Sequence, residues 1–183
     1  MNNTPSILDT TVVGQILDQA VKDVFDTMLS MNSLLIWSSP EIVKKSDSID
    51  PAESLISDMA IHNMIVVGTV GFVGEVNGLI YLYVDLPFAT KITQKLLQID
   101  LDALGEDADG AVNDAIGEIT NMVVGVFKNK LCDQGYPCRL TIPSILRGTD
   151  ISVEPVGYAH RRIYKFDIAG SLLTTDVVMK FGD

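Results

Sequence analysis

The chain has 183 residues, enough for one domain with a genuine core, since a chain of this size buries about two thirds of the surface its unfolded form exposes. Its 47% apolar and 20% charged residues describe a folding chain rather than a disordered one. The net charge of −11 argues against nucleic-acid binding, which draws its affinity from Lys and Arg displacing phosphate counterions, and disfavours an anionic phosphate substrate unless a partner brings the positive charge. No apolar run is long enough for a membrane span, and the first residues, Met1-Asn2-Asn3-Thr4-Pro5, lack a signal-peptide pattern, so the expected location is the cytoplasm.

From Ile7 to Met31 apolar residues recur at three- and four-residue steps, which predicts a long amphipathic helix. Leu34 to Val43, broken by Ser38-Ser39-Pro40, reads as a short edge strand or two fragments, and Ser46 to Ser57 reads as a connecting loop. Met64 to Val84 reads as a hairpin, with Asn77-Gly78 expected to form a two-residue type I′ turn because both positions need positive φ. Within it Gly68, Gly71 and Gly74 match no phosphate-binding loop and are expected to serve bulges or close packing. Asp85 is placed to cap a helix with Pro87 in its first turn, ending near Asp100.

An acidic loop, Gly105 to Gly110, leads into a second long helix predicted to run to about Cys132, and its carboxylates suit the positive end of the helix dipole. After Pro143, the runs Ile151–Tyr158, Ile163–Ala169 and Leu172–Val178 suggest a closing antiparallel meander. Long helices set against hairpin-linked strands imply an α+β fold with two long helices and a shorter one layered on a largely antiparallel sheet, residues 1–183 forming one domain. Cys132 and Cys138 read as free thiols rather than a disulfide, and His62 and His160 have no neighbours at metal-ligand spacing, so no metal or cofactor is expected on this chain.

On the second long helix Val112, Ala115, Ile116, Ile119, Met122, Val123, Val126, Phe127 and Leu131 mark the inward face. Asp114, Glu118 and Asn121 follow at steps of four and three, so two carboxylates and an amide line a single outward stripe. Gly110, Gly117 and Gly125 flank it, although an interior helical Gly costs about 1 kcal/mol relative to Ala. Spacing alone leaves two readings open. The stripe is an ordinary solvated face with glycines that serve helix packing, or it is a surface that another protein's backbone approaches closely.

Asp114-x3-Glu118-x2-Asn121, followed after 21 residues by Pro143, resembles the signature of the CheC/CheX/FliY phosphatases, which act on the phosphorylated chemotaxis response regulator CheY. The interval to Pro143 departs from the family's usual spacing by one residue, which a helix–strand loop can absorb. The order of elements is CheX-like across nearly the whole chain.

The resemblance implies a phosphatase that hydrolyses the aspartyl phosphate of a CheY-like regulator. Asn121 would position the water and Glu118 would contact the regulator's lysine, with Asp114, Gly117, Gly125 and Pro143 at the partner surface. It further implies Mg²⁺ held by the regulator and a homodimer formed through sheet edges. The alternative is a non-catalytic module of the same fold that binds a response regulator or a flagellar-switch component. Residues 18–27 also overlay residues 113–122 as a degenerate repeat in which Asp23 and Asp26 replace Glu118 and Asn121. An ionised Asp in place of the amide can neither donate to water nor avoid repelling a phosphoryl group, so this first helix is expected to be silent.

Overall fold

The computed structural model describes residues 10–39, 64–149, 151, 153 and 159–181. Helix α1 (Thr10–Met28) precedes edge strand β1 (Ser33–Ser38). The hairpin β2 (Ile65–Gly74) and β3 (Val76–Asp85) leads into α2 (Leu86–Leu97), a 3-10 segment (Leu101–Asp107) and α3 (Ala108–Asp133). Strands β4 (Cys138–Leu140), β5 (Ser144–Gly148), β6 (His160–Ile168) and β7 (Ser171–Phe181) complete the chain. Among the described residues, the seven strands form one sheet in the order β1-β6-β7-β3-β2-β4, with β5 also on β2, and every ladder is antiparallel.

The α+β layering holds. Alternate strand residues such as Val66, Val70, Ile80 and Val177 join buried residues of all three helices in one large core. Their neighbours along each strand face the other way, where Ile65, Val67, Tyr83 and Ile163 make a smaller cluster with Trp37. Among the described residues no helix is long and apolar enough to cross a membrane.

The β2–β3 hairpin forms, but Asn77-Gly78 does not turn it. Gly78 pairs with Phe72 inside the ladder, so the bend centres on Glu75, and the Asn77 side chain accepts from Gly74 N–H at 3.2 Å. Gly78 is needed there for room, because a Cβ would collide with the Phe72 ring and lie 2.6 Å from the Val178 carbonyl oxygen. The two-residue turn with positive φ is instead Ala169-Gly170, at φ 50° and 82°, between the paired residues Ile168 and Ser171. Helix α2 starts as expected, with the Asp85 carboxylate accepting from Phe88 N–H at 2.8 Å.

Other boundaries move. The acidic stretch is partly a 3-10 segment with Gly105 at φ 56°, and Gly110 already lies inside α3. His160 and Arg161 belong to β6 instead of separating two strands. Of Ile151–Tyr158, only Ile151 and Val153 are described, and neither is in a strand; the loop expected at Ser46–Ser57 lies outside the described residues. Strands β4 and β5 lie where only a connection and Pro143 were anticipated. Both pair with β2, which supplies the order that such short segments lack alone.

Both thiols are free, Cys132 half-buried and Cys138 buried. Burial pushes the Cys138 thiol up to about 11, with the adjacent Cys132 thiol adding to the effect, so Cys138 behaves as core packing rather than as a nucleophile.

On the face opposite the helices, Arg161 grips Asp176 through two bonds, Nε to Oδ1 at 2.9 Å and Nη2 to Oδ2 at 2.8 Å. Asp176 is fully buried; burial pushes its carboxyl above the ordinary range while Arg161 pulls the other way. Removing one partner leaves a buried charge unmatched. Asp176→Ala is therefore expected to lose about 3–5 kcal/mol in a urea titration, whereas a loss under 1 kcal/mol would show that Arg161 finds water instead.

Candidate functional site on helix α3

Helix α3 is buried along most of its girth: Val112, Ala115, Ile116, Ile119, Thr120, Val123, Val124, Phe127 and Leu131 all face protein. The arc is wide because α1 and α2 flank α3 while β2 lies beneath it. What remains for solvent is a narrow stripe on which Asp114 and Glu118 are exposed and Asn121, Gly117 and Gly125 are half-buried. Five of the six site residues expected from the sequence thus share one face of one helix.

Among the described residues, no hydrogen bond or ion pair engages Asp114, Glu118 or Asn121, unlike the residues just outside the stripe. A carboxylate and an amide one helical turn apart, both unspent, can grip a cation and a water molecule on an approaching surface. Among the described residues, no three His, Cys, Asp or Glu side chains are grouped to hold a metal ion.

The glycines are not required by the chain's own packing. A Cβ at Gly110 or Gly125 would meet nothing within 4 Å, and one at Gly117 would meet only Ile145 Cδ1, at 3.9 Å. Packing among the described residues therefore does not account for them, and the stripe is left smooth.

Pro143, the sixth residue, lies on the neighbouring sheet edge. Residues 141–143 span a stretch where β2 uses only Val70 and Gly71, a bulge between β4 and β5 in which a residue without N–H is tolerated. The bulge is anchored at Thr141, whose N–H donates to the Gly71 carbonyl at 2.8 Å and whose Oγ1 accepts from Gly71 N–H at 2.9 Å. Two residues on, Ile145 supplies the atom that a Cβ at Gly117 would meet, at 3.9 Å.

Sequence reasoning missed the ties that hold α3 in place. Arg147 of β5 donates through Nη1 to the Asp109 carboxylate at 2.7 Å and through Nη2 to the Asp109 carbonyl at 3.2 Å, fastening the first turn of α3 to the sheet edge. Asp109 was legible only as a dipole-compatible charge.

The fold and this geometry can now be set beside known proteins. Residues 66–167 match the family model described as Chemotaxis phosphatase CheX, more than half of the chain and including the whole of α3. The chain belongs to the CheX family. Its fold is similar to that of a CheX chemotaxis protein from Desulfovibrio desulfuricans, with a TM-score of 0.70 and 20% identity over 92% of this chain and 99% of that one. CheX in a CheX–CheY–BeF3–Mg²⁺ complex from Borrelia burgdorferi gives a TM-score of 0.65 at 20% identity, covering 92% and 97%. FliY from Thermotoga maritima gives 0.64 at 18% identity, covering 96% and 91%. No curated protein matches the chain in sequence.

The CheX-like fold also displays the repeat. Ala20, Val21, Val24 and Phe25 of α1 are as buried as Ala115, Ile116, Ile119 and Thr120, their counterparts on α3. The outward residues differ in use: Asp26 Oδ1 accepts from both the N–H and the hydroxyl of Ser33 at 2.8 Å, and Asp23 accepts from Gln19 at 2.7 Å.

Because the stripe glycines meet open space, Gly117→Ala and Gly125→Ala are each expected to stabilise the chain, by up to about 1 kcal/mol. Chemical denaturation checks this; destabilisation by either would mean that a side chain is not accommodated there.

Proposed function

We propose that this CheX-family chain hydrolyses the aspartyl phosphate of a CheY-like response regulator, with Asn121 and Glu118 as its working residues. The observation that carries the proposal is the unspent Glu118–Asn121 pair, one turn apart on a stripe whose glycines leave open space. A helix that tolerates several glycines without internal need is suited to a partner's backbone lying close against it.

An aspartyl phosphate is already activated, so catalysis consists mainly of holding a water in line and stabilising charge on the phosphoryl oxygens. Asn121 both donates and accepts, and it orients that water as a glutamine does in GTPases. Glu118 would repel the phosphoryl group if it faced it; it pairs instead with the regulator's active-site lysine and so fixes the docking geometry. Asp114, one turn earlier, adds a second contact at the rim.

The cations of the reaction are the regulator's. Its Mg²⁺ and lysine neutralise the phosphoryl group, which is how a chain of net charge −11 acts on an anion. The beryllofluoride and Mg²⁺ named with the CheX–CheY complex of the Borrelia protein support this division of labour. Pro143 and the neighbouring Ile142, which is 88% exposed, contribute an apolar flank to the same surface. Residues 1–183 act as one domain, and a second copy pairs along the edge strand β1, where Leu34 and Ile36 are exposed.

With a purified phosphorylated CheY-like regulator, Asn121→Ala is expected to slow phosphate release at least about a hundredfold without lowering thermal stability. Glu118→Ala is expected instead to raise KM and weaken its dependence on salt. Equal rates for wild type and Asn121→Ala would remove Asn121 from the mechanism.

A further inference from the structure

Among the glycines of the described residues, Gly68 alone meets the helix that carries the site across a clash. It lies on β2 on the face that packs against α3, between its strand partners Leu82 and Ile145. A Cβ there would collide with Thr120 Oγ1 and stand 2.9 Å from Thr120 Cβ and 3.3 Å from Thr120 Cγ2. By contrast, Gly74 and Gly78 meet strand and loop atoms, and Gly71 meets Thr141 and Leu79, away from α3.

Thr120 cannot easily yield. It is fully buried and its hydroxyl donates to the Ile116 carbonyl at 2.7 Å, which pins its rotamer against the helix backbone. Ile119 and Val123 are buried beside it, so the turn moves as a block. The next residue is Asn121.

We propose that Gly68 is a positioning residue for Asn121: its missing side chain lets Thr120 rest on the backbone of β2 and thereby sets the height of the stripe above the sheet. This rests on the phosphatase reading above. A methyl group at position 68 pushes the Thr120 turn outward by about 1 Å, a misplacement large enough to cost a hundredfold in rate when the reacting geometry is strict. Binding of the regulator, spread over a wider surface, is far less sensitive.

The test uses the full chain with Gly68→Ala and the double variant Gly68→Ala/Thr120→Ala, and measures kcat, KM and a crystal structure of each. Gly68→Ala is expected to shift α3 outward at Thr120 and to lower kcat about a hundredfold with KM changed less than threefold. Removing Oγ1 and Cγ2 in the double variant is expected to recover at least tenfold of the lost kcat.

An α3 that stays in place, a kcat within threefold of wild type, or a loss that merely follows the unfolded fraction would overturn the proposal. Should Gly68→Ala fail to fold, recovery of folding and of part of kcat in the double variant supports the seat, and recovery of neither overturns it. A wild type that releases no phosphate sinks the phosphatase reading, while the position of α3 in the variant structures still decides whether Gly68 seats the helix.

Discussion

Helix α3 rests on β2 where Thr120 meets Gly68, a place with no room for a side chain on the strand, and the solvent-facing stripe of α3 lies on the other side of that helix. A helix seated this deeply, packed against α1, α2 and β2, has only a narrow arc left for solvent. Residues in that arc are held by a core on three sides and are as rigid as the core itself. Asp114, Glu118 and Asn121 thus stand on a stiff element rather than on a loop, and this suits a task that consists of placing a water and a charge.

The comparison between α1 and α3 separates what the fold needs from what the site needs. Within the overlaid stretch Ala20, Val21, Val24 and Phe25 are buried like Ala115, Ile116, Ile119 and Thr120, so packing constrains these turns of both helices in the same way. On α1 the outward carboxylates serve the structure: Asp26 holds the start of β1, and Asp18 pairs with Lys22 at 2.8 Å. On α3 Asp114, Glu118 and Asn121 have no such work among the described residues. A side chain without an internal duty, next to glycines without an internal need, is where the physics of the fold stops explaining the sequence.

Much of this was legible in the sequence because helical periodicity is a strong signal. The faces of α1 and α3, the cap at Asp85 and the stripe itself follow from spacing and side-chain chemistry. What escaped depends on long-range partners. Asn77-Gly78 has turn chemistry, yet its glycine answers to Phe72 and Val178 across the ladder, and the positive-φ turn went to Ala169-Gly170. Strands β4 and β5 have three and five residues and exist only because β2 offers an edge. Gly68 was visible as a glycine in a strand, but nothing local says which residue lies above it. Spacing alone also left the stripe ambiguous; the open space around Gly110 and Gly125 is a structural fact, and the proposed reading of the stripe builds on that and on family membership.

The central claim is that the Glu118–Asn121 pair on α3 turns over a phosphorylated regulator instead of only binding it. The most direct measurement is the phosphate lifetime of a CheY-like regulator mixed with a small, substoichiometric amount of this chain. Catalysis predicts that each molecule releases many phosphates and that the lifetime falls in proportion to its concentration. A complex that forms while the lifetime stays unchanged would contradict the claim.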